Sequence, residues 1–143
     1  MSKQKNSTFV QEFMTSKPEV VDERTKISEA AALILEKGFN HLPVVSGDRL
    51  KGMFSHTDLM RIDFADSFGQ DQRQSMATLD ATMGILDACS TDLVTLKPKD
   101  TALDASKKLS AGKFHALPVV DENSNLMGLV TTTDLIKFYA ELS

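Results

Sequence analysis

Apolar positions along the chain change their period several times, and the changes come in the same order twice. In the first half, Phe9, Val10, Phe13 and Met14 fall on one face of a short helix. After a break at Thr15 to Pro18, Val20 and Val21 read as a very short strand. Ile27, Ala30, Ala31, Ile34 and Leu35 then recur at helical spacing, so ISEAAALILEKG is a helix, and Gly38 stops it. From Leu42 the period shortens. Leu42 to Val45 is a nearly all-apolar strand, SGDR is a turn containing Gly47, and Leu50 to Ser55 returns as the second arm of a hairpin. Pro43 implies an edge or lead-in position, because a proline offers no N–H to a central ladder. Thr57 is placed to cap a helix beginning at Asp58, with Leu59, Met60 and Ile62 available for burial.

The same succession restarts at Thr82. MGILDAC is the counterpart of FVQEFM, LVTL at 93–96 is the short strand, and TALDASKKLSAG is the helix. LPVV, DENSN, LMGLVT and TTDLIKFYAEL follow as strand, turn, strand and helix. The match is closest where LPVVSGDRLKGMFSHTD is set beside LPVVDENSNLMGLVTTTD: Pro43 pairs with Pro118 and Asp58 with Asp134, with one extra residue in the second turn. The chain is an internal duplication with repeats at 8–64 and 81–142 and a linker at 65–80. Within that stretch and its approach, Phe64, Phe68, Met76 and Leu79 are spaced to anchor a helix, while Gly69 in a polar run favours a mobile crossing. A repeat of this size buries too little apolar surface alone, so the two copies are expected to pack on each other.

Composition narrows the function classes. A net charge of −4 on 143 residues argues against non-specific nucleic-acid binding, which needs a basic surface. No apolar run reaches the length of a membrane span, and MSKQKNS lacks a signal-peptide core. The single cysteine, Cys89, cannot form an internal disulfide, which fits a reducing cytoplasm.

The duplicated unit resembles a CBS domain, and the two copies together resemble a tandem CBS pair, or Bateman module, of the stand-alone bacterial kind. The resemblance covers about residues 8–142. It implies an α/β fold in which each repeat is a small mixed sheet with flanking helices and the repeats are related by a pseudo-twofold axis. It also implies a homodimer through the CBS helices and an adenosine nucleotide or S-adenosylmethionine held in the clefts between repeats. In that family the Asp closing the Gly, two apolar residues, Ser/Thr, two residues, Asp signature accepts the ribose hydroxyls, and the Ser/Thr three residues earlier contacts phosphate. The matching positions are Ser55 with Asp58 and Thr131 with Asp134. A carboxylate suits a vicinal diol because it offers several acceptor lone pairs, and a hydroxyl with free amides at a helix start suits phosphate. The competing reading of the same residues is an N-cap with an acidic first turn. Capping by Thr57 and Thr133, however, does not require Ser55 and Thr131.

His115 stands where the family often carries a basic residue facing phosphate. Its counterpart is Asn40, while His41 is offset by one residue, and both histidines are equally readable as half-exposed strand-entry side chains. Val20 and Val21, with Thr95 and Leu96, match the strand that lines the family's base pocket. Pro43 and Pro118, leading the LPVV strands, match its other wall; plain core packing explains all of these as well. Lys51, Arg61, Lys113 and Lys137 are the nearby cations. No metal-ligand spacing, phosphate loop or nucleophile elbow is present, so neither a metal, a cofactor nor catalysis is expected. The reading is a regulatory adenosyl-ligand sensor that signals to an effector protein. Its competitor is a structural protein-interaction module without a small ligand.

Overall fold

The computed structural model describes residues 2–66 and 72–141. Phe68 and Gly69, and the side chains of Phe64 and Met76, lie outside the described residues, so the crossing expected there is not addressed. The chain begins with helix α1 (Ser2–Asn6) and a single 3-10 turn (Val10–Glu12). It continues through β1 (Val21–Asp22), α2 (Ile27–Lys37), β2 (His41–Ser46), β3 (Arg49–Ser55), α3 (His56–Asp66), α4 (Gln72–Thr82) and α5 (Ile85–Ala88). The second series is α6 (Ala102–Ser110), β4 (Ala116–Val120), β5 (Leu126–Thr131) and α7 (Thr132–Ala140).

These elements form two compact units that cut the chain elsewhere than the sequence repeat does. The first is Glu19–Leu93; the second joins Met1–Pro18 to Val94–Ser143. The reason is backbone pairing. Thr15 exchanges two hydrogen bonds of 2.9 Å with Leu129 of β5, and Val10 N–H donates to the Asp100 carbonyl at 2.7 Å. In the first unit Ser90 pairs with Met53 of β3 in the same manner, at 2.9 and 3.1 Å. Each hairpin is thus covered by the opening segment of the other repeat. These tertiary partners also explain why FVQEFM makes only a 3-10 turn rather than a longer helix.

Such a crossing needs room, and a glycine supplies it in each unit. A methyl group at Gly128 would lie 2.5 Å from the Met14 sulfur and 2.8 Å from the Thr15 carbonyl oxygen. At Gly52 it would lie 2.7 Å from the Cys89 sulfur and 3.0 Å from the Ser90 oxygen. The recurring glycine of the duplicated signature is therefore a close-approach position.

In the first unit β2 lies between β1, to which it is parallel, and β3, to which it is antiparallel. The sheet is mixed, as the resemblance to a CBS domain implies. Pro43 is consequently in the central strand, not at an edge. It is tolerated because β1 pairs only with Val44 and Val45, leaving no ladder acceptor opposite the proline nitrogen. In the second unit β4 and β5 pair antiparallel, and the strand expected at 93–96 shrinks to one parallel bridge, Leu96 to Val119. Pro98, two residues on, has no N–H with which to extend it.

Apolar periodicity selects the buried faces. Ile27, Ala30, Ala31 and Ile34 of α2 pack with Leu42, Val44 and Phe54 in one core. Ala102, Ala105 and Leu109 of α6 pack with Leu117, Val119, Val130 and Leu135 in the other. Each large side chain among them contributes about 1.5–3 kcal/mol. Leu79 of α4 joins the first core, and Asp80 accepts the Ser28 amide at 3.0 Å together with the Ser28 hydroxyl. The end of the expected linker is thus part of the first unit, capping the start of α2. In the second unit Phe13 stacks on Phe138 at 4.2 Å, Lys5 lies over the same ring, and Tyr139 donates to Asn6 at 2.7 Å.

Candidate functional site

The predicted ligand residues cluster where the returning strand of each hairpin hands over to a helix. In the first unit β3 ends at Ser55 and α3 starts at once with His56. Asp58 Oδ2 accepts the Ser55 amide at 2.9 Å and the Ser55 hydroxyl at 3.0 Å, and the Asp58 amide donates back to that hydroxyl at 3.2 Å. In the second unit Thr131 is the residue before α7. Its amide donates to Asp134 Oδ2 at 3.0 Å, and the Asp134 amide donates to its hydroxyl at 3.0 Å.

This reciprocal pattern is a capping box. Helix α3 starts two residues earlier than expected while α7 starts at Thr132 as the repeat order has it, and Ser55 and Thr131, not Thr57 and Thr133, are the caps. The expectation that capping does not require Ser55 and Thr131 is therefore overturned. The Ser/Thr, two residues, Asp signature has a complete structural role. Any ligand must share it.

The two carboxylates are not equivalent. Asp58 is 3% exposed and its Oδ1 accepts Arg61 at 2.8 Å. Asp134 is half-buried and, among the described residues, receives the Thr15 hydroxyl besides its own cap, at 3.2 Å on Oδ2 and 3.4 Å on Oδ1. Oδ1 of Asp134 thus accepts nothing closer than that 3.4 Å contact among the described residues. Sequence reasoning missed Thr15; the available signal was a hydroxyl after Met14 and again after Cys89, the residues that cross the two hairpins. It named Arg61 without finding its partner.

Asn40 and His115, aligned with each other in the repeat, take the same backbone place. The Asn40 carbonyl accepts the first amide of α3 at 3.0 Å, and the His115 carbonyl accepts the first amide of α7 at 3.0 Å and the Thr132 hydroxyl at 3.3 Å. Their side chains are exposed, while His41 is half-buried. Of the expected base-pocket residues, Val21 and Leu96 are members of the two cores, and Pro43 and Pro118 are buried. Val20 is exposed and Thr95 half-buried, the Thr95 carbonyl being taken by the Lys108 amine at 2.9 Å. Lys51, Lys113 and Lys137 are exposed.

Cys89 is half-buried, and burial first, then the negative charge of Asp58, pushes its thiol up to about 11. It is a neutral packing group beneath Gly52. Among the described residues no three His, Cys, Asp or Glu side chains gather as a metal site, and no helix is long and apolar enough to cross a membrane. Among the described residues, grooves open in the second unit. One of about 640 Å³ is bordered by Lys97, Lys99 and Asp121, and one of about 420 Å³ by Leu109, Leu135, Ile136 and Tyr139. Neither is lined by the expected ligand residues.

Fold and junctions together define a duplicated α/β module of the strand, helix, strand, strand, helix type, with a capped carboxylate at each hairpin exit. The family model of the CBS domain matches residues 10–64 and 84–141. The chain belongs to the CBS domain family and carries a pair of CBS repeats. CBS domains are in general regulatory rather than catalytic.

The chain is 26% identical to protein MJ1225 of Methanocaldococcus jannaschii, over 92% of its own length and 47% of the relative's. It is 30% identical to the CBS domain-containing protein YhcV of Bacillus subtilis, over 88% of its own length and 81% of the relative's. The crystal structure of CBSX2 from Arabidopsis thaliana in complex with AMP superposes with a TM-score of 0.79 at 26% identity, covering 94% of this chain and 98% of that one. The chain spans less than two thirds of the first curated relatives it matches.

Proposed function

We propose that this CBS pair is a regulatory module that binds an adenosyl ligand, AMP, ADP, ATP or S-adenosylmethionine, and passes the bound state to a partner protein. The observation that carries the reading is the Asp134 junction. It offers a half-buried carboxylate with acceptor capacity left on Oδ1, beside a helix start, in a chain similar to one solved with AMP. A ribose diol needs two acceptors, and a carboxylate supplies about four lone-pair sites. Output follows from linkage: a ligand that prefers one arrangement of the protein shifts the population that a partner meets. We place the module in the bacterial cytoplasm as a homodimer joined through its CBS helices. The dimer reading is supported by the exposed Ile136 of α7, Leu35 of α2 and Met60 of α3, apolar side chains that association would cover.

The test is titration calorimetry and thermal shift with AMP, ADP, ATP and S-adenosylmethionine on the native chain and on Asp134→Ala. Saturation at a hundredfold excess over Kd should raise stability by about 2.7 kcal/mol. Asp134→Ala should remove the part of that rise due to the second repeat while costing about 1 kcal/mol of helix capping without ligand. No heat and no shift with any of the four ligands would leave the interaction module as the reading. The capping box, which gives the signature residues a structural role without any ligand, is the observation on that alternative's side.

A further inference from the structure

We infer that Arg61 is a specificity-determining residue that makes the two CBS repeats unequal, by holding the Asp58 carboxylate against the hydroxyls of a ribose diol. This rests on the adenosyl-ligand reading above and deepens it.

The two junctions are alike in their capping and differ in what else reaches the carboxylate. Asp58 already accepts three donors: the Ser55 amide and hydroxyl on Oδ2 and the Arg61 guanidinium on Oδ1. It is 3% exposed. Asp134 accepts two uncharged donors, the Thr131 amide and the Thr15 hydroxyl, and is half-buried. The residue three places beyond Asp134, matching Arg61, is Lys137 on the exposed face of α7. Among the described residues Lys137 makes no ion pair with Asp134. The shorter ammonium stem does not do what the guanidinium fork does, which is to reach back one helical turn onto a carboxylate oxygen.

A diol binding Asp58 must displace Arg61 from Oδ1. The Arg61 side chain is 68% exposed, so water can receive it and the displacement is affordable. With the Arg61 side chain largely in solvent the pair is screened to about 1 kcal/mol, which is about a fivefold weakening of the first repeat relative to an unlatched one. The first repeat is thus the weaker position, filled after the second. That order gives a sensor two concentration ranges from one duplicated sequence.

The experiment uses the full chain and adenosine as probe, because adenosine carries the diol but no phosphate to attract Arg61. Calorimetric titrations compare the native protein with Arg61→Ala and Lys137→Arg. Arg61→Ala should tighten the weaker position about fivefold and leave the stronger one unchanged. Lys137→Arg, a change on an exposed helix face that does not threaten folding, should weaken the stronger position by a similar factor. If Arg61→Ala fails to fold, Lys137→Arg decides alone. Unchanged affinities in both variants, with native binding that is weakened in Asp134→Ala, would overturn the latch and leave the adenosyl reading standing. A native chain that binds neither adenosine nor AMP would overturn both.

Discussion

Replacing Gly128 by alanine tests how the second unit is assembled. The new methyl group would stand 2.5 Å from the Met14 sulfur, 2.9 Å from Met14 Cγ and 2.8 Å from the Thr15 carbonyl oxygen. The methionine side chain can swing aside. The carbonyl cannot, because Thr15 and Leu129 hold each other by two backbone hydrogen bonds of 2.9 Å. Overpacking costs about 1–3 kcal/mol, the two bonds about 1 kcal/mol each if the segment is pushed off, and the stiffer unfolded chain returns about 0.4–1 kcal/mol. The net expectation is a destabilisation of roughly 2–4 kcal/mol. Urea unfolding reads the loss, and hydrogen exchange locates it: the amides of Thr15 and Leu129 should lose protection together. The double variant Met14→Ala/Gly128→Ala should recover only part of the loss, since it relieves the sulfur contact and not the carbonyl. A Gly128→Ala protein within about 0.5 kcal/mol of the parent, the range of an ordinary surface substitution, with both amides still protected, would refute the close-approach account.

Two further outcomes follow from the same geometry. Alkylation of Cys89 by iodoacetamide should be slow at neutral pH and climb only as pH approaches about 11, because burial and the Asp58 charge favour the protonated thiol. The unfolded thiol ionises first, near 9.0. The stabilisation is therefore intact below pH 9.0 and is lost as pH rises through about 11, and Cys89→Ala should abolish that alkaline loss. Labelling at pH 8 as fast as an exposed thiol would contradict this. Deleting residues 2–15 removes the strand-like partner of Leu129 and the ring and amine that cover Phe138. Exchange should accelerate across α6, β4, β5 and α7 while α2 and the β2–β3 hairpin stay protected; equal loss in both units would disprove the division of the chain.

Much of this fold was legible because it rests on local rules. The helix that Gly38 stops, the LPVV hairpins and the repeat order follow from periodicity and turn chemistry, which act between neighbours. Asn40 and His115 were aligned correctly for the same reason, although their shared role lies in the backbone carbonyl, which residue identity does not report. The caps were misplaced by two residues because Ser55-x-x-Asp58 and Thr57-Asp58 are both acceptable helix starts. The hydrogen bonds of the finished junction choose the first.

Sequence alone determined that this protein is a duplicated α/β chain with a hydroxyl and a carboxylate at each strand-to-helix handover. Tertiary structure decided which segment covers which hairpin, that Pro43 sits in a central strand, and that the Thr15 hydroxyl reaches the Asp134 carboxylate. The physical reason is range. Periodicity records which face of an element is apolar, whereas the partner of that face, and the lone pairs left over at a carboxylate, depend on atoms far away along the chain. Thr15 and Asp134, separated by 119 residues, are the clearest case.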